Sequence, residues 1–426
     1  KAIVVTSTTQ AVAEAAGLRM LFDARTTTLE AVFTANQHSF SQTILLNQQH
    51  ANLAIGTTDL AVFAKAFALY DATLTTPIAQ AALSHLKPIS TVLGWASEVD
   101  FVTSASRHGH HVLCSDFTTN VPIFSNFAPP PSPSALHTML SHAHTLMHVP
   151  STPALHTMPH TMPAKTPKCQ AAASDQRHVV TFMFTDGDSI TWDLGNFASP
   201  SYDWWGSANR STVPLAWTFQ PVLHELHPTF LNWVRQNASV NDELLVGPSG
   251  AGYTYLDQYP SAAARERFAA WTAANIERSG LMNMINQIQV RTFNASVEAE
   301  LLALPNPPEA LFIDEEIKLS IHGNAWRLND MAGKPTDTIV TSRRHCLSTT
   351  FGDVTPDSLV RALNAAPNQA ASTDGYSVIG VEVWSYGVSD VRSVVDALDH
   401  TRVRVVGLQE YVACLKERAL PLSGGV

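Results

Sequence analysis

The sequence has few charged residues for its length. Asp, Glu, Lys and Arg make up 15% of its 426 residues, against about a quarter in typical globular domains. Acidic residues outnumber basic ones, 36 to 26, and the basic residues form no run. Because nucleic acids and anionic membranes are bound through clustered Lys and Arg, this balance argues against both. No apolar stretch approaches the roughly 20 residues of a membrane-spanning helix, so we expect no membrane span.

Cysteine is also scarce, and the common cofactor motifs are missing. The four cysteines are widely spaced and form no CxxC pair, which argues against a zinc ribbon and permits two disulfides in any pairing: Cys114, Cys169, Cys346 and Cys414. A phosphate-binding Gly-Lys-Ser/Thr loop is absent, and Gly250-Ala-Gly252 lacks the third glycine of a dinucleotide loop. We therefore predict no cofactor.

A change in composition divides the chain. Residues 129–175 are rich in Pro, Ser, Thr and His and repeat the pentad Ala-Leu-His-Thr-Met, which predicts a low-complexity linker or insertion. Within it, His144 and His148 have the spacing of a helical metal-binding pair, but the many prolines disfavour that helix, so we predict no metal site. The linker separates a predicted N-terminal domain, residues 1–128, from a larger domain, residues 176–426.

The pattern on both sides of the linker is typical of α/β proteins. The first part has strand-like runs at Ala2–Thr6, Thr91–Gly94 and His111–Ser115 and a helical pattern over Asp59–Tyr70. After the linker, strand-like runs alternate with helical segments such as Ser261–Arg278, Thr355–Ala365 and Ser389–Leu398. The runs are Val179–Thr185, Val213–Thr218, Glu243–Val246, Met282–Ile288, Ala310–Ile313, Thr338–Thr341, Ser377–Val383 and Val403–Gly407. We predict an N-terminal α/β domain followed by a (β/α) barrel-like domain with seven or eight strands, with a doubly wound open sheet as the alternative.

Carboxylates and aromatic rings follow the predicted strands. In a (β/α) barrel, the strand ends carry the functional residues. We predict Asp186, Asp188 and Glu382 as catalytic carboxylates, because paired carboxylates supply acid, base or nucleophile in glycoside hydrolysis. Aromatic rings stack on sugars, which suggests a binding surface of Trp192, Trp217, Ser249, Tyr253, Tyr255 and Trp384. A turn at Asp186-Gly187-Asp188 and a buried structural role for Glu382 remain alternatives.

The stretch Gly250-Ala-Gly252-Tyr253-Thr-Tyr255 resembles the signature of the GxGYxYP family of glycoside hydrolases. The resemblance extends to Gly94-Trp95 with Glu98, Ser115-Asp116, Phe184-Thr-Asp186-Gly187-Asp188 and Val383-Trp384-Ser385. The proline of the signature is Leu256 here. The resemblance implies a two-domain hydrolase, in which we expect Glu98 and Asp116 of the first domain to close a sugar-binding cleft.

We therefore predict a glycoside hydrolase that acts on an oligo- or polysaccharide. N-x-Ser sequons at Asn209, Asn237 and Asn294, together with the low charge, favour a secreted glycoprotein, although chance sequons in a cytosolic enzyme are the alternative. Two other functions remain open. One is a carbohydrate deacetylase-like enzyme, for which a metal-binding HxxxH pair outside the linker is lacking. The other is a non-catalytic carbohydrate-binding or structural extracellular glycoprotein.

Overall fold

A computed structural model describes residues 8–20, 23–49, 57–127, 168–289, 294–303, 306–315, 323–350 and 354–422. The predicted strand Ala2–Thr6 and the histidines of the linker lie outside the described residues. No helix within these ranges is both long enough and apolar enough to cross a membrane.

The N-terminal part is a four-stranded parallel sheet with helices, in the strand order β2-β1-β3-β4. Its elements are α1 (Gln10–Ala15), α2 (Leu29–Asn36), β1 (Ile44–Asn47), α3 (Thr58–Ala64), β2 (Phe67–Leu69), α4 (Pro77–His85), β3 (Thr91–Leu93), α5 (Glu98–Arg107), β4 (His111–Leu113) and α6 (Val121–Phe124), with short 3-10 turns at Ala24–Thr26 and Gln37–Ser39. The strands predicted at β3 and β4 are confirmed.

The predicted helix Asp59–Tyr70 is wrong in its second half. Helix α3 ends at Ala64 because Lys65 takes a left-handed conformation, with φ of 57°. The chain then forms β2, in which Phe67 and Leu69 are buried. Their spacing of two residues matches a strand face, and the parallel sheet outweighs the helical pattern.

The C-terminal part repeats strand and helix over about 240 residues. Its elements are β5 (His178–Phe184), α7 (Ile190–Leu194), β6 (Leu215–Phe219), α8 (Leu223–Leu226), α9 (Pro228–Asn237), β7 (Asp242–Val246), α10 (Ala262–Ser279), β8 (Met282–Gln289), α11 (Ala295–Ala299), β9 (Ala310–Glu315), β10 (Ala325–Asn329), β11 (Pro335–Ser342), β12 (His345–Leu347), α12 (Pro356–Asn364), β13 (Tyr376–Val381), α13 (Val388–Ala397), β14 (Val403–Val405) and α14 (Leu408–Cys414). Each strand predicted after the linker overlaps an observed one.

These strands form one mixed sheet in the order β10-β11-β9-β8-β7-β6-β5-β13-β12, with β14 also paired to β5. All described pairs are parallel except β10–β11. The predicted barrel is not confirmed, because no ladder among the described strands closes the sheet. Strand β14 is not inserted between β13 and β5, which pair directly with each other. The segment between β11 and β12 nevertheless bonds to two separate strands. Arg343 N–H donates to the carbonyl of Ile313 in β9, and Arg344 N–H donates to the carbonyl of Val378 in β13.

Both faces of the large sheet are covered, which explains why β5 is buried along its whole length. Phe182 and Phe184 face a cluster that includes Trp217, while Met183 faces a second cluster that contains Tyr411 of α14. The three helices predicted after the linker are confirmed to within one residue at each end. The Ser261 side chain caps α10, and Gly280 ends it in a left-handed conformation, with φ of 66°. Helix α12 begins with a capping box at Thr355.

The sequence permitted two disulfides, and the structure contains one. Cys169, near the end of the predicted linker and at the start of the described C-terminal residues, is bonded to Cys414 at the end of α14. Cys114 and Cys346 are free, buried thiols that lie in different parts of the chain. The disulfide therefore joins the start of the C-terminal part to its last helix.

Candidate active site

A cleft of about 840 Å³ lies between the two sheets. Its walls are the segments that follow β3 and β4 in the N-terminal part and the segments that follow β5, β9, β11, β12 and β13 in the C-terminal part. Ligands of parallel α/β sheets bind at the carboxyl ends of the strands, and here two such ends face one another. Of the predicted site residues, the cleft is lined by Glu98, Asp116, Asp186, Asp188, Trp192, Glu382 and Trp384.

Asp186 directly follows β5 and is half-buried at the cleft. Its backbone takes a left-handed conformation, with φ of 67°. The Thr185 hydroxyl donates to Oδ2 at 2.7 Å, and the Trp384 indole Nε1 donates to Oδ1 at 3.0 Å. Burial, and then the charge of Glu382, raise the pKa of Asp186 to about 6, although these hydrogen bonds act in the opposite direction. Asp186 therefore holds a proton at mildly acidic pH while it faces solvent.

Glu382 lies at the carboxyl end of β13, next to Asp186. Its side chain is buried, and its Oε2 accepts hydrogen bonds from the hydroxyls of Ser348, at 2.7 Å, and Ser385. Hydrogen bonds of this kind orient a carboxylate. Trp384, two residues further, is 57% exposed, so its ring forms an open wall of the cleft.

An ion pair that the sequence analysis missed completes this wall. Asp314, at the end of β9, accepts from Arg343 Nη1 at 2.5 Å and from Asn286 Nδ2 at 3.2 Å. Cys346 lies beside them, and burial raises the pKa of its thiol to about 12. Arg343 stands between two strands that are adjacent in sequence but pair with different neighbours, so only the folded sheet brings it to Asp314. The end-of-strand rule could have identified Asp314.

Asp188 and Asp116 lie where the two domains meet. Asp188 is buried at the cleft, and Ile190 N–H at the start of α7 donates to the carbonyl of Cys114. The Thr191 hydroxyl donates to Asp116 Oδ1 at 2.9 Å. These bonds fix the first domain over the cleft.

Asp193, on the next turn after Asp188, is buried, and neither of its carboxylate oxygens has a hydrogen-bond partner among the described residues. Burial, with the nearby charge of Asp188, raises the pKa of Asp193 well above its ordinary value. The sequence pattern does not indicate this residue, because its position inside the short helix α7 carries no end-of-strand signal.

Several predicted sugar-binding residues do not reach the cleft, and the structure corrects their placement. The Trp217 ring is buried against Phe184 at 4.5 Å, and its Nε1 donates to Asp242 at 3.0 Å. Ser249 is buried away from the cleft. Trp192 borders the cleft, but its ring packs edge-on against Phe197 and is almost fully buried.

Tyr253 and Tyr255 are also fully buried, in the core of the N-terminal domain. Tyr253 pairs with Val112 of β4 through two backbone hydrogen bonds of 2.8 Å, so the signature loop extends the N-terminal sheet at its β4 edge. The Tyr253 hydroxyl donates to Glu98 Oε1 at 2.7 Å, and Tyr255 N–H donates to the hydroxyl of Ser106 at 3.0 Å. The rings therefore join the two domains instead of forming a sugar platform. Tyr253 contacts the cleft through Glu98.

The sequon asparagines differ in accessibility. Asn237 and Asn294 are exposed, whereas Asn209 is half-buried and donates from Nδ2 to the Ser389 hydroxyl at 2.9 Å. No group of three His, Cys, Asp or Glu side chains suited to a metal ion occurs in the part of the chain that the structure describes. The described residues therefore contain no group of metal ligands of the kind that a carbohydrate deacetylase-like enzyme would need.

The fold and the site define a two-domain α/β protein with a carboxylate-lined cleft between its parallel sheets. The chain belongs to the GxGYxYP family: the "GxGYxYP putative glycoside hydrolase C-terminal domain" matches residues 176–416, and the "GxGYxYP third domain" matches residues 42–126. The chain is also similar to a crystal structure titled as a "putative hydrolase" from Bacteroides thetaiotaomicron. The two share 20% identity and a TM-score of 0.74 over 96% of this chain and 73% of that one, which supports the fold alone. A comparison with curated proteins finds no match.

Proposed function

We propose that the protein hydrolyses glycosidic bonds of an oligo- or polysaccharide in the cleft between its domains. The observation that carries this proposal is the adjacent pair of carboxylates at the carboxyl ends of β5 and β13. The burial of Asp186, and then the charge of Glu382, raise the pKa of Asp186 to about 6, which is the property required of a general acid.

The two carboxylates have complementary roles in this proposal. Asp186 donates its proton to the oxygen of the leaving sugar, and Glu382, held by Ser348 and Ser385, acts as the nucleophile or activates water. The open Trp384 ring offers a stacking surface beside them. Asp188, on the same loop as Asp186, is a further carboxylate that lines the cleft, and in this proposal it binds substrate hydroxyl groups. The family description, glycoside hydrolase, supports this chemistry.

The experiment compares the wild type with Asp186→Asn and Glu382→Gln on a panel of aryl glycosides and neutral and acidic oligosaccharides. We expect each variant to lower kcat by roughly 10²–10⁴-fold, which is the usual contribution of acid–base catalysis. Asp374→Asn is the matched control, because Asp374 is an exposed carboxylate before β13, at the opposite end of the strand. Unchanged kcat in Glu382→Gln, or no hydrolysis of any substrate by the wild type, would contradict the proposal.

We also propose that the protein is a secreted glycoprotein. The exposure of Asn237 and Asn294 and the Cys169–Cys414 disulfide support this location, because disulfides persist in oxidising compartments. Asn209 is a poorer acceptor because it is half-buried, whereas Asn237 and Asn294 are exposed. Mass spectrometry of the protein from a secreting eukaryotic host tests this order of occupancy.

A further inference from the structure

A second depression of about 470 Å³ adjoins the active-site cleft. Asn196, Trp204 and Trp384 line both cavities, so the two are neighbours that share one wall. We call the second cavity the aromatic groove. It is bordered by Tyr202 on one side and by Tyr386 on the other.

Two aromatic side chains of the groove are unusually exposed to solvent. Tyr202 is 43% exposed and Trp384 is 57% exposed, although rings of this size are usually covered. The Tyr202 ring stacks on Trp204 with centroids 4.9 Å apart and planes at 21°, and Trp204 meets Trp384 edge-on at 5.8 Å. Flat rings with polar edges in an open groove are suited to the apolar faces of sugar rings.

Hydrogen bonds within and between two loops hold the walls of the groove in place. The Asp203 carboxylate accepts from the hydroxyls of Ser207, at 2.5 Å, and Ser389, at 2.8 Å. Val388 N–H donates to the Asp203 carbonyl at 2.7 Å, and Trp204 Nε1 donates to the Val383 carbonyl at 2.9 Å. The two loops that form the groove are therefore tied together without a ligand. A preformed surface binds with a smaller entropic cost than one that must be ordered first.

The charge of the groove indicates which sugars fit. Asp203 and Asp390 are its ionisable carboxylates, and no Lys or Arg occurs among the described residues that line it. An anionic sugar, such as a uronate or a sulfated residue, would therefore meet repulsion without a compensating cation. Uncharged sugar units avoid this cost.

We propose that the aromatic groove is a binding subsite for uncharged sugar units of an oligosaccharide chain that extends from the active-site cleft. Trp384 separates the two cavities, with its indole nitrogen bonded to Asp186 on the cleft side. A chain bound in the groove thus reaches the carboxylates across this ring. The link to catalysis rests on the proposed function, whereas binding in the groove does not.

The test measures binding in the Glu382→Gln background, so that no substrate is consumed. Calorimetry uses gluco-, manno- and xylo-oligosaccharides of increasing length, together with galacturonate oligomers as anionic probes. Tyr202→Ala should weaken binding of the longer neutral chains by roughly five- to ten-fold and leave the shortest unchanged, because one stacking ring is lost. Tyr202→Phe should retain the affinity. Tyr70→Ala is the control, since Tyr70 is 51% exposed in the N-terminal domain, outside the groove.

The outcomes separate this proposal from the proposed function. Loss of long-chain binding in Tyr202→Ala, with no hydrolysis by the wild type, would support the subsite and contradict the hydrolase. Hydrolysis by the wild type, with equal binding of long chains by Tyr202→Ala and its parent, would overturn the subsite and leave the hydrolase standing. Tighter binding of galacturonate oligomers than of neutral chains, or no binding of any neutral chain, would also overturn the subsite.

Discussion

Asp186→Asn should change the pH dependence of folding stability as well as activity. The pKa of Asp186 is about 6 in the folded protein, against an ordinary value of 3.8. Between these two pH values the folded protein holds a proton that the unfolded chain has already released. Stability from this group is therefore present at low pH and is lost as the pH rises from about 4 to 6. An amide does not ionise, so the variant lacks this loss.

The magnitude follows from the shift and from the contacts of the side chain. A shift of about 2 units corresponds to about 3 kcal/mol at most, at 1.36 kcal/mol per unit. Partial exposure to the cleft reduces this figure. The side chain of asparagine has only one acceptor oxygen, so the variant loses one of the hydrogen bonds from Thr185 and Trp384, which costs about 1 kcal/mol. We expect Asp186→Asn to be less stable than the wild type by about 1 kcal/mol at pH 4 and more stable by about 1 kcal/mol at pH 8.

Urea unfolding at a series of pH values measures this crossover. Tryptophan fluorescence follows the C-terminal part, because eight of the nine tryptophans lie after the linker. Asp374→Asn serves again as the control, and its difference from the wild type should not change sign with pH. A constant difference between Asp186→Asn and the wild type from pH 4 to pH 8 would refute the argument that burial and Glu382 keep Asp186 protonated.

Two further predictions concern the scaffold. Gly252→Ala should destabilise the protein by more than about 2 kcal/mol, because φ is 146° and a Cβ would lie 2.3 Å from the His111 ring. Gly333→Ala, with φ of 80° and no atom within 4 Å, should cost only about 1 kcal/mol, and equal losses in thermal melts would contradict this reasoning. Cys169→Ser should cost about 2–5 kcal/mol by removing the bond to Cys414. Reductant should destabilise the wild type and have no effect on this variant; a wild type that is insensitive to reductant would contradict the prediction.

The strands of the large sheet could be predicted because each is an apolar run that ends in polar residues. Strands β10 and β12 were missed: the first is half-buried and antiparallel, and the second has only three residues. Whether the sheet closes into a barrel could not be predicted, because the alternation of strands and helices does not indicate which strands pair. The position of β14 depends on the direct contact of β13 with β5, which only the folded chain reveals.

The rule that functional residues follow the carboxyl ends of strands was enough to predict three carboxylates of the candidate site. Asp186, Asp188 and Glu382 follow buried strands, and the structure brings all three to one cleft. The tyrosines of the signature were predicted to bind sugar, but they are buried. A ring with a hydroxyl suits a buried contact with a polar partner as well as a ligand surface. Sequence does not reveal that Glu98, about 150 positions earlier, supplies that partner.

The buried signature loop still bears on the site, through the junction between the domains. Gly250 and Gly252 permit the close approach of the loop to Thr272 and His111, where any side chain would collide. Tyr253 can then pair with Val112 and place its hydroxyl on Glu98, which lines the cleft. The first domain, with Glu98 and Asp116, is thus fixed relative to the carboxylates of the second. The glycine and tyrosine pattern is therefore required to hold together a cleft whose lining carboxylates are supplied by other segments.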